Sequence, residues 1–162
     1  MPEKRESAES LTLPVTSLTV EHLCDISFPV RPRAFPTMRG VQLLANSEEG
    51  QVVGHRLNGT MYEYSGTAVV TDDGVTTGEP RCLIHTDDEA DILMSGIARI
   101  PPYLNEPQQT IYPETQRTWV NGWGMVMFET EAEDYLWLNS AASVLQVATR
   151  GSEVFFRVLR LL

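Results

Sequence analysis

Residues 17–28 read SLTVEHLCDISF. Leu18, Val20, His22, Cys24, Ile26 and Phe28 alternate with Thr19, Glu21, Asp25 and Ser27, and only Leu23 breaks the rhythm. A side-chain period of two belongs to a β-strand with one face turned toward a core. Outward from this stretch the rhythm recurs at 41–46, 54–64, 67–70, 76–86, 90–100, 119–130, 135–149 and 152–162. Turn chemistry separates these runs. Asp73-Gly74, inside TDDGV at 71–75, is the strongest short hairpin signal in the chain. PVRPRAFPTMRG at 29–40 reads as a loop, and the four prolines of 101–118 read as a long connection or lid. No convincing amphipathic helix interrupts the series. About nine strands in meander order predict an all-β protein: a single antiparallel up-and-down β-barrel, calycin-like, over 15–162, with a frayed tail at 1–14.

The bulk numbers bound the partners. The chain has 162 residues, 42% of them hydrophobic, which is enough for one well-cored domain. Its net charge is −10. Such a surface repels phosphate backbones and anionic lipid, so neither nucleic acid nor membrane is an expected partner. No apolar run has the length of a membrane span, and MPEKRESAES is not followed by the apolar core of a signal peptide. A cytoplasmic location follows as an expectation, with Cys24 and Cys82 as reduced, buried thiols. The last strand is apolar on both faces. Val154, Phe156 and Val158 lie on one, Phe155, Leu159 and Leu161 on the other. A barrel strand needs one inward face, so the other is expected to be covered by the lid or by a second subunit of a homo-oligomer.

Several chemistries fail on spacing. Asp88-Glu89-Ala90-Asp91 spells the helicase letters, but no phosphate-cradling G-x-x-x-x-G-K-[ST] is present and the only lysine is Lys4. The same cluster lacks the glycine and the terminal glutamate of a calcium loop, so it reads as a solvated hairpin tip. His22 and Cys24 stand at strand i, i+2 positions, yet no second pair with ligand spacing completes a zinc site, and no metal is expected. There is no G-x-S-x-G elbow. Gly122 and Gly124 lack the third glycine and the strand–turn–helix context of a dinucleotide fingerprint. No cofactor is expected.

Three blocks carry a family resemblance. They are GVQLLANSEEGQVVGHRLNGTMY (40–62), DDGVTTGEPRCLIHTDDEADILMSGIARI (72–100) and MFETEAEDYLWLNSAASV (127–144). They resemble uncharacterised protein family 0311, also called domain of unknown function 3237. The family's T-D-D turn stands here at Thr86-Asp87-Asp88, and its Y-x-W-L-N segment at Tyr135-Leu136-Trp137-Leu138-Asn139. The resemblance implies a single antiparallel barrel and supplies no settled reaction. The chain departs from the family pattern at three places. His85 stands where an arginine is usual, Glu89 where the turn glycine is usual, and SGTAVV (65–70) where G-A-D-W is usual.

What remains is a pocket. Asn58, Thr60, Tyr62 and Tyr64 are expected to share one strand face, Trp123, Met125 and Met127 a second, and Tyr135, Trp137 and Asn139 a third. Aromatic and thioether surface with a few hydroxyls and amides suits either a filled barrel or a cavity for a hydrophobic small molecule. His22, on the apolar face of its strand, is either a satisfied core histidine or a general acid/base. The cavity reading predicts a cofactor-independent cyclase or isomerase of a polyketide-like secondary metabolite. Its catalytic candidates are His22, Tyr62 and Tyr64. Its substrate-binding candidates are Asn58, Trp123, Met125, Tyr135, Trp137 and Asn139. The alternatives are a non-catalytic carrier or sensor, and an oligomeric structural module.

Overall fold

The computed structural model describes residues 17–102 and 120–162. The described strands are β1 (Val20–Pro29), β2 (Arg33–Thr37), β3 (Gly40–Ser47), β4 (Gly50–Val53), β5 (Gly59–Val70), β6 (Thr76–Thr86), β7 (Asp91–Ile100), β8 (Val120–Glu129), β9 (Ser143–Arg150) and β10 (Glu153–Leu161). A 3-10 helix, Glu133–Ser140, lies between β8 and β9. Eight antiparallel strands close in the order β5-β4-β1-β10-β9-β8-β7-β6, and β6 returns to β5. The expected barrel is therefore present. The hairpin β2–β3 is an addition to it. β3 pairs with residues 64–70 of β5, while β4 pairs with residues 59–61 of the same edge. The long β5 thus serves two neighbours along one side, and β3 continues the wall where β4 ends.

Two identical turns explain the repeated T-D-D. In each, the threonine amide donates to the carbonyl four residues on: Thr71 N to Val75 O at 3.0 Å, Thr86 N to Ala90 O at 2.9 Å. The fourth residue donates back to the threonine carbonyl, Gly74 at 2.8 Å and Glu89 at 3.0 Å. Each threonine hydroxyl also donates to the second aspartate, Thr71 to Asp73 and Thr86 to Asp88. The fourth position needs positive φ, +80° at Gly74 and +70° at Glu89. Gly74 adopts it freely. Glu89 bears a cost of ~1–2 kcal/mol for a β-carbon in that region. The acidic tip is a turn, as its sequence suggests.

Two β-bulges reset which residues face inward. In β1 the pairing with β10 slips between His22 and Cys24, and in β5 the pairing with β6 slips between Met61 and Glu63. A bulge adds one residue to one strand and reverses the in–out phase beyond it. Leu23, the residue that broke the alternation, is consequently fully buried beside Cys24, Ile26 and Phe28, while His22 lies on the outer wall.

Local expectations change at four places. The 29–40 loop contains β2, all five residues of which are exposed. The strand at 54–64 begins only at Gly59, because residues 54–58 form a turn and β4 precedes it. β5 runs unbroken to Val70. The expected strand at 135–149 is a 3-10 helix followed by β9. Both the 1–14 tail and most of the 101–118 connection fall outside the described residues. Phe155, Leu159 and Leu161 of β10 are half-buried.

The core fills the lower barrel. Met61, Ile84, Ile92, Met94, Leu138 and Leu145 are fully buried there. Among the described residues, no helix is long and apolar enough to cross a membrane.

Candidate functional site at the upper barrel

The upper half of the barrel is lined by small side chains. Ala45 of β3, Gly66 and Ala68 of β5, Gly78 of β6 and Ala98 of β7 converge on one cavity. Leu43, Ile100, Val147 and Phe156 complete its apolar wall. Its volume is about 40 Å³, room for about three water molecules at ~10–15 Å³ each. Counted out through its open mouth, the space between the lining atoms is about 470 Å³. The polar lining is sparse. Tyr64 and Thr76 are 7% and 3% exposed, while Thr67 and Glu79 stand at the exposed rim.

Tyr64 is the aromatic centre of this space. Its ring lies 4.5 Å from Phe28 and 6.1 Å from Phe156, centroid to centroid, and Phe28 and Phe156 meet edge-on at 5.1 Å. The hydroxyl passes over Gly66. A β-carbon there would sit 2.1 Å from the Tyr64 Oη, so only glycine permits this ring position. Gly66 is the second residue of SGTAVV, the segment that departs from the family pattern. That departure therefore lies in the cavity wall.

The other residues singled out from sequence do not join Tyr64. Tyr62 is the extra residue of the β5 bulge; it is 40% exposed on the outer wall and meets His85 edge-on at 6.5 Å. Partial burial, then Asp91 and Glu63, push its hydroxyl pKa up. Asn58 holds the 54–58 turn, accepting from Gly54 N at 2.9 Å and donating to Gly54 O at 2.6 Å. Thr60 is exposed. Trp123, Met125 and Met127 are 55%, 56% and 67% exposed on the outer face of β8. His22 lies 2.9 Å from Asp25, which also receives both Nε and Nη2 of Arg157 at 2.9 Å. The Arg157 guanidinium, and secondly His22, hold the Asp25 carboxyl below the usual carboxylate range, against the opposing effect of burial.

The Y-x-W-L-N segment closes the lower end of the barrel. Leu138 is fully buried as a plug. The Tyr135 hydroxyl donates to the Asp88 carboxylate, 2.9 and 3.1 Å from its two oxygens, and so fastens the helix to the Thr86 turn. With the Thr86 hydroxyl, and then Tyr135, as its donors, Asp88 is held below the usual carboxylate range. Two guanidiniums pack on the Trp137 ring, Arg56 at 3.9 Å and Arg160 at 4.8 Å from its centroid. Asn139 accepts from Thr130 N at 2.8 Å and donates to Thr130 O at 2.9 Å. Every one of these contacts fixes chain to chain, at the opposite end from the cavity.

Cys24 and Cys82 are both buried free thiols. Burial pushes Cys82 up to about 12, and raises Cys24 as well, with Cys82 and Asp25 adding to the effect. The β1 bulge separates Cys24, turned inward, from His22, turned outward. Among the described residues no group of three His, Cys, Asp or Glu side chains could hold a metal ion.

Sequence reasoning did not single out Ala45, Gly66, Thr76, Gly78, Ala98 and Phe156 as cavity residues. Their signal was weak, because glycine, alanine and threonine at inward positions do not register as an apolar stripe.

The fold has known relatives. A conserved protein of unknown function from Rhodopseudomonas palustris superposes with a TM-score of 0.77 at 16% identity, covering 91% of this chain and all of that one. A beta-barrel like protein from Acinetobacter baumannii gives 0.73 at 18%, over 93% and 100%. A protein described as an enzyme, from Penicillium herquei, gives 0.68 at 20%, over 94% and 100%. No curated protein matches the chain. The family model described as "Protein of unknown function (DUF3237)" matches residues 18–161, and the chain belongs to that family.

Proposed function

We propose that the chain binds a hydrophobic small molecule at the upper end of its barrel and acts on it as a cofactor-independent cyclase or isomerase of polyketide-like compounds. The observation that carries this reading is the wall of small residues around a single aromatic hydroxyl, Tyr64, in an otherwise filled barrel. A space of this size cannot enclose such a ligand, so the substrate reaches in through the mouth and leaves its remainder at the rim. The apolar wall selects a folded conformer, which removes much of the entropic barrier to ring closure. The Tyr64 hydroxyl donates to a substrate oxygen as negative charge develops there. His22 and Tyr62, on the outer wall, take no part in this scheme. The barrel fold is shared with a protein described as an enzyme, from Penicillium herquei, which is consistent with catalysis on this scaffold. We place this activity in the cytoplasm, where the two buried thiols stay reduced.

The test uses 2′-hydroxychalcone, whose phenol adds across its own double bond, the proton passing from oxygen to carbon, to give the flavanone isomer. The chain is expected to bind it saturably and to accelerate closure. Gly78→Val narrows the cavity from a position with room for a β-carbon, which would meet only Ala68 Cβ and Thr67 O at 3.8 Å. It is expected to weaken binding at least ~10-fold. Tyr64→Phe should retain binding and lose closure by ~100-fold, the scale of one oxyanion donor. Binding with no closure in either protein would leave a carrier or sensor. Binding that Gly78→Val does not change would sink the cavity assignment.

A further inference from the structure

The outer face of the barrel opposite β1 carries a surface that the cavity does not explain. Cross-strand register places Ile97 beside Met125, Ser95 beside Met127 and Arg99 beside Trp123. Ile97, Trp123, Met125 and Met127 are each half to two-thirds exposed and form one contiguous apolar centre across β7 and β8. Polar and charged residues flank it. Ser65 stands beside Arg81 and Arg81 beside Ser95, Asn46 lies next to Ser65, and Gln146 lies next to Trp123. On these rows the charges are Glu79, Arg81 and Arg99, and Glu129 follows Met127 on the same face of β8, so the face is balanced in charge within a chain of net charge −10.

We propose that this face, centred on Ile97 and Met125 and bounded by β9 on one side and the Thr67–Glu79 rim of the cavity on the other, is the two-fold interface of a homodimer. Three features point to a second copy of this chain. Two copies each carrying −10 repel one another, so they can meet only through a face poor in carboxylates. Beside a two-fold axis a side chain faces its own copy or a near neighbour, and farther out residue i meets residue j and j meets i. On the axis apolar groups, and serine, asparagine and glutamine, which both donate and accept, can face themselves, and here the central positions are Ile97 and Met125; the charges stand off it. The size also fits. The four central side chains expose on the order of 400 Å² of mostly apolar surface. With the polar ring around them the face approaches the ~800 Å² per subunit of a stable complex.

Sedimentation velocity on the full chain tests the assignment. The wild type is expected to sediment at twice the 18.1 kDa chain mass. Met125→Glu and Met127→Glu place a carboxylate against its own copy and should each give a folded monomer, with the circular dichroism of the wild type. Val53→Glu, on the exposed outside of β4, should remain dimeric. Raising the salt should tighten the dimer several-fold as the net repulsion is screened. A monomeric wild type, a dimer that survives both methionine variants, or a dimer that weakens with salt would each overturn the proposal.

Discussion

Gly66→Ala tests the cavity wall at its tightest point. A β-carbon at Gly66 would lie 2.1 Å from Oη and 2.6 Å from Cζ of Tyr64. Ordinary contact is ~3.5 Å, so the tip of the ring must withdraw by about 1.4 Å. It has little room, with Phe28 at 4.5 Å and Phe156 at 6.1 Å on its flanks. Overpacking of this kind costs ~1–3 kcal/mol. At ~2–4 °C per kcal/mol for a domain of this size, Tm should fall by about 4–8 °C for a central value of ~2 kcal/mol. A double-mutant cycle isolates the cause. In a Tyr64→Leu background the side chain ends short of Gly66, and the added methyl should cost under ~0.5 kcal/mol. Urea unfolding of the four proteins gives the coupling energy directly. An equal cost in both backgrounds would show that the Tyr64 ring does not lie over Gly66, and would remove Tyr64 from its assigned place in the cavity.

Two further outcomes follow from other parts of the barrel. Leu138→Ala should destabilise by ~2–5 kcal/mol in urea unfolding, because it empties the fully buried plug, whereas Leu136→Ala, two residues away and 48% exposed, should stay within ~0.5 kcal/mol. Asp25→Asn should flatten the acid limb of the stability profile. The folded-state pKa of Asp25 is depressed by Arg157, so its contribution is present above the unfolded-state value and lost as pH falls through the folded one. Wild type and variant should therefore converge below about pH 4, in urea midpoints measured from neutral to strongly acidic pH.

The barrel was legible in the sequence because its signals are local. Alternation at 76–86, 90–100 and 152–162 needs only neighbouring residues, and so do the turns at Thr71 and Thr86, whose amides, hydroxyls and aspartates all lie within five residues. The family blocks led to the same fold. The site was less legible. Of the residues picked out as a pocket, the structure places Tyr64 in the cavity, while Asn58, Tyr135, Trp137 and Asn139 hold turns and the lower closure. The Y-x-W-L-N helix shows why. Its apolar and polar letters satisfy a strand pattern, but Asn139 closing on Thr130, and Tyr135 reaching Asp88, fix a tighter backbone that depends on residues up to 47 positions away.

The sequence by itself determined the class of fold, most of the strands and the two T-D-D turns, since period two and turn chemistry are properties of adjacent residues; β2, β4 and the 3-10 helix at Glu133–Ser140 emerged only with the tertiary pairing. Tertiary structure alone decided which face of each strand looks inward. One extra residue in β1 and one in β5 invert the phase, sending His22 and Tyr62 outward and Tyr64 inward. A bulge sets two residues of one strand against one of its partner, so it is decided by the pairing of two strands and not by the period of either.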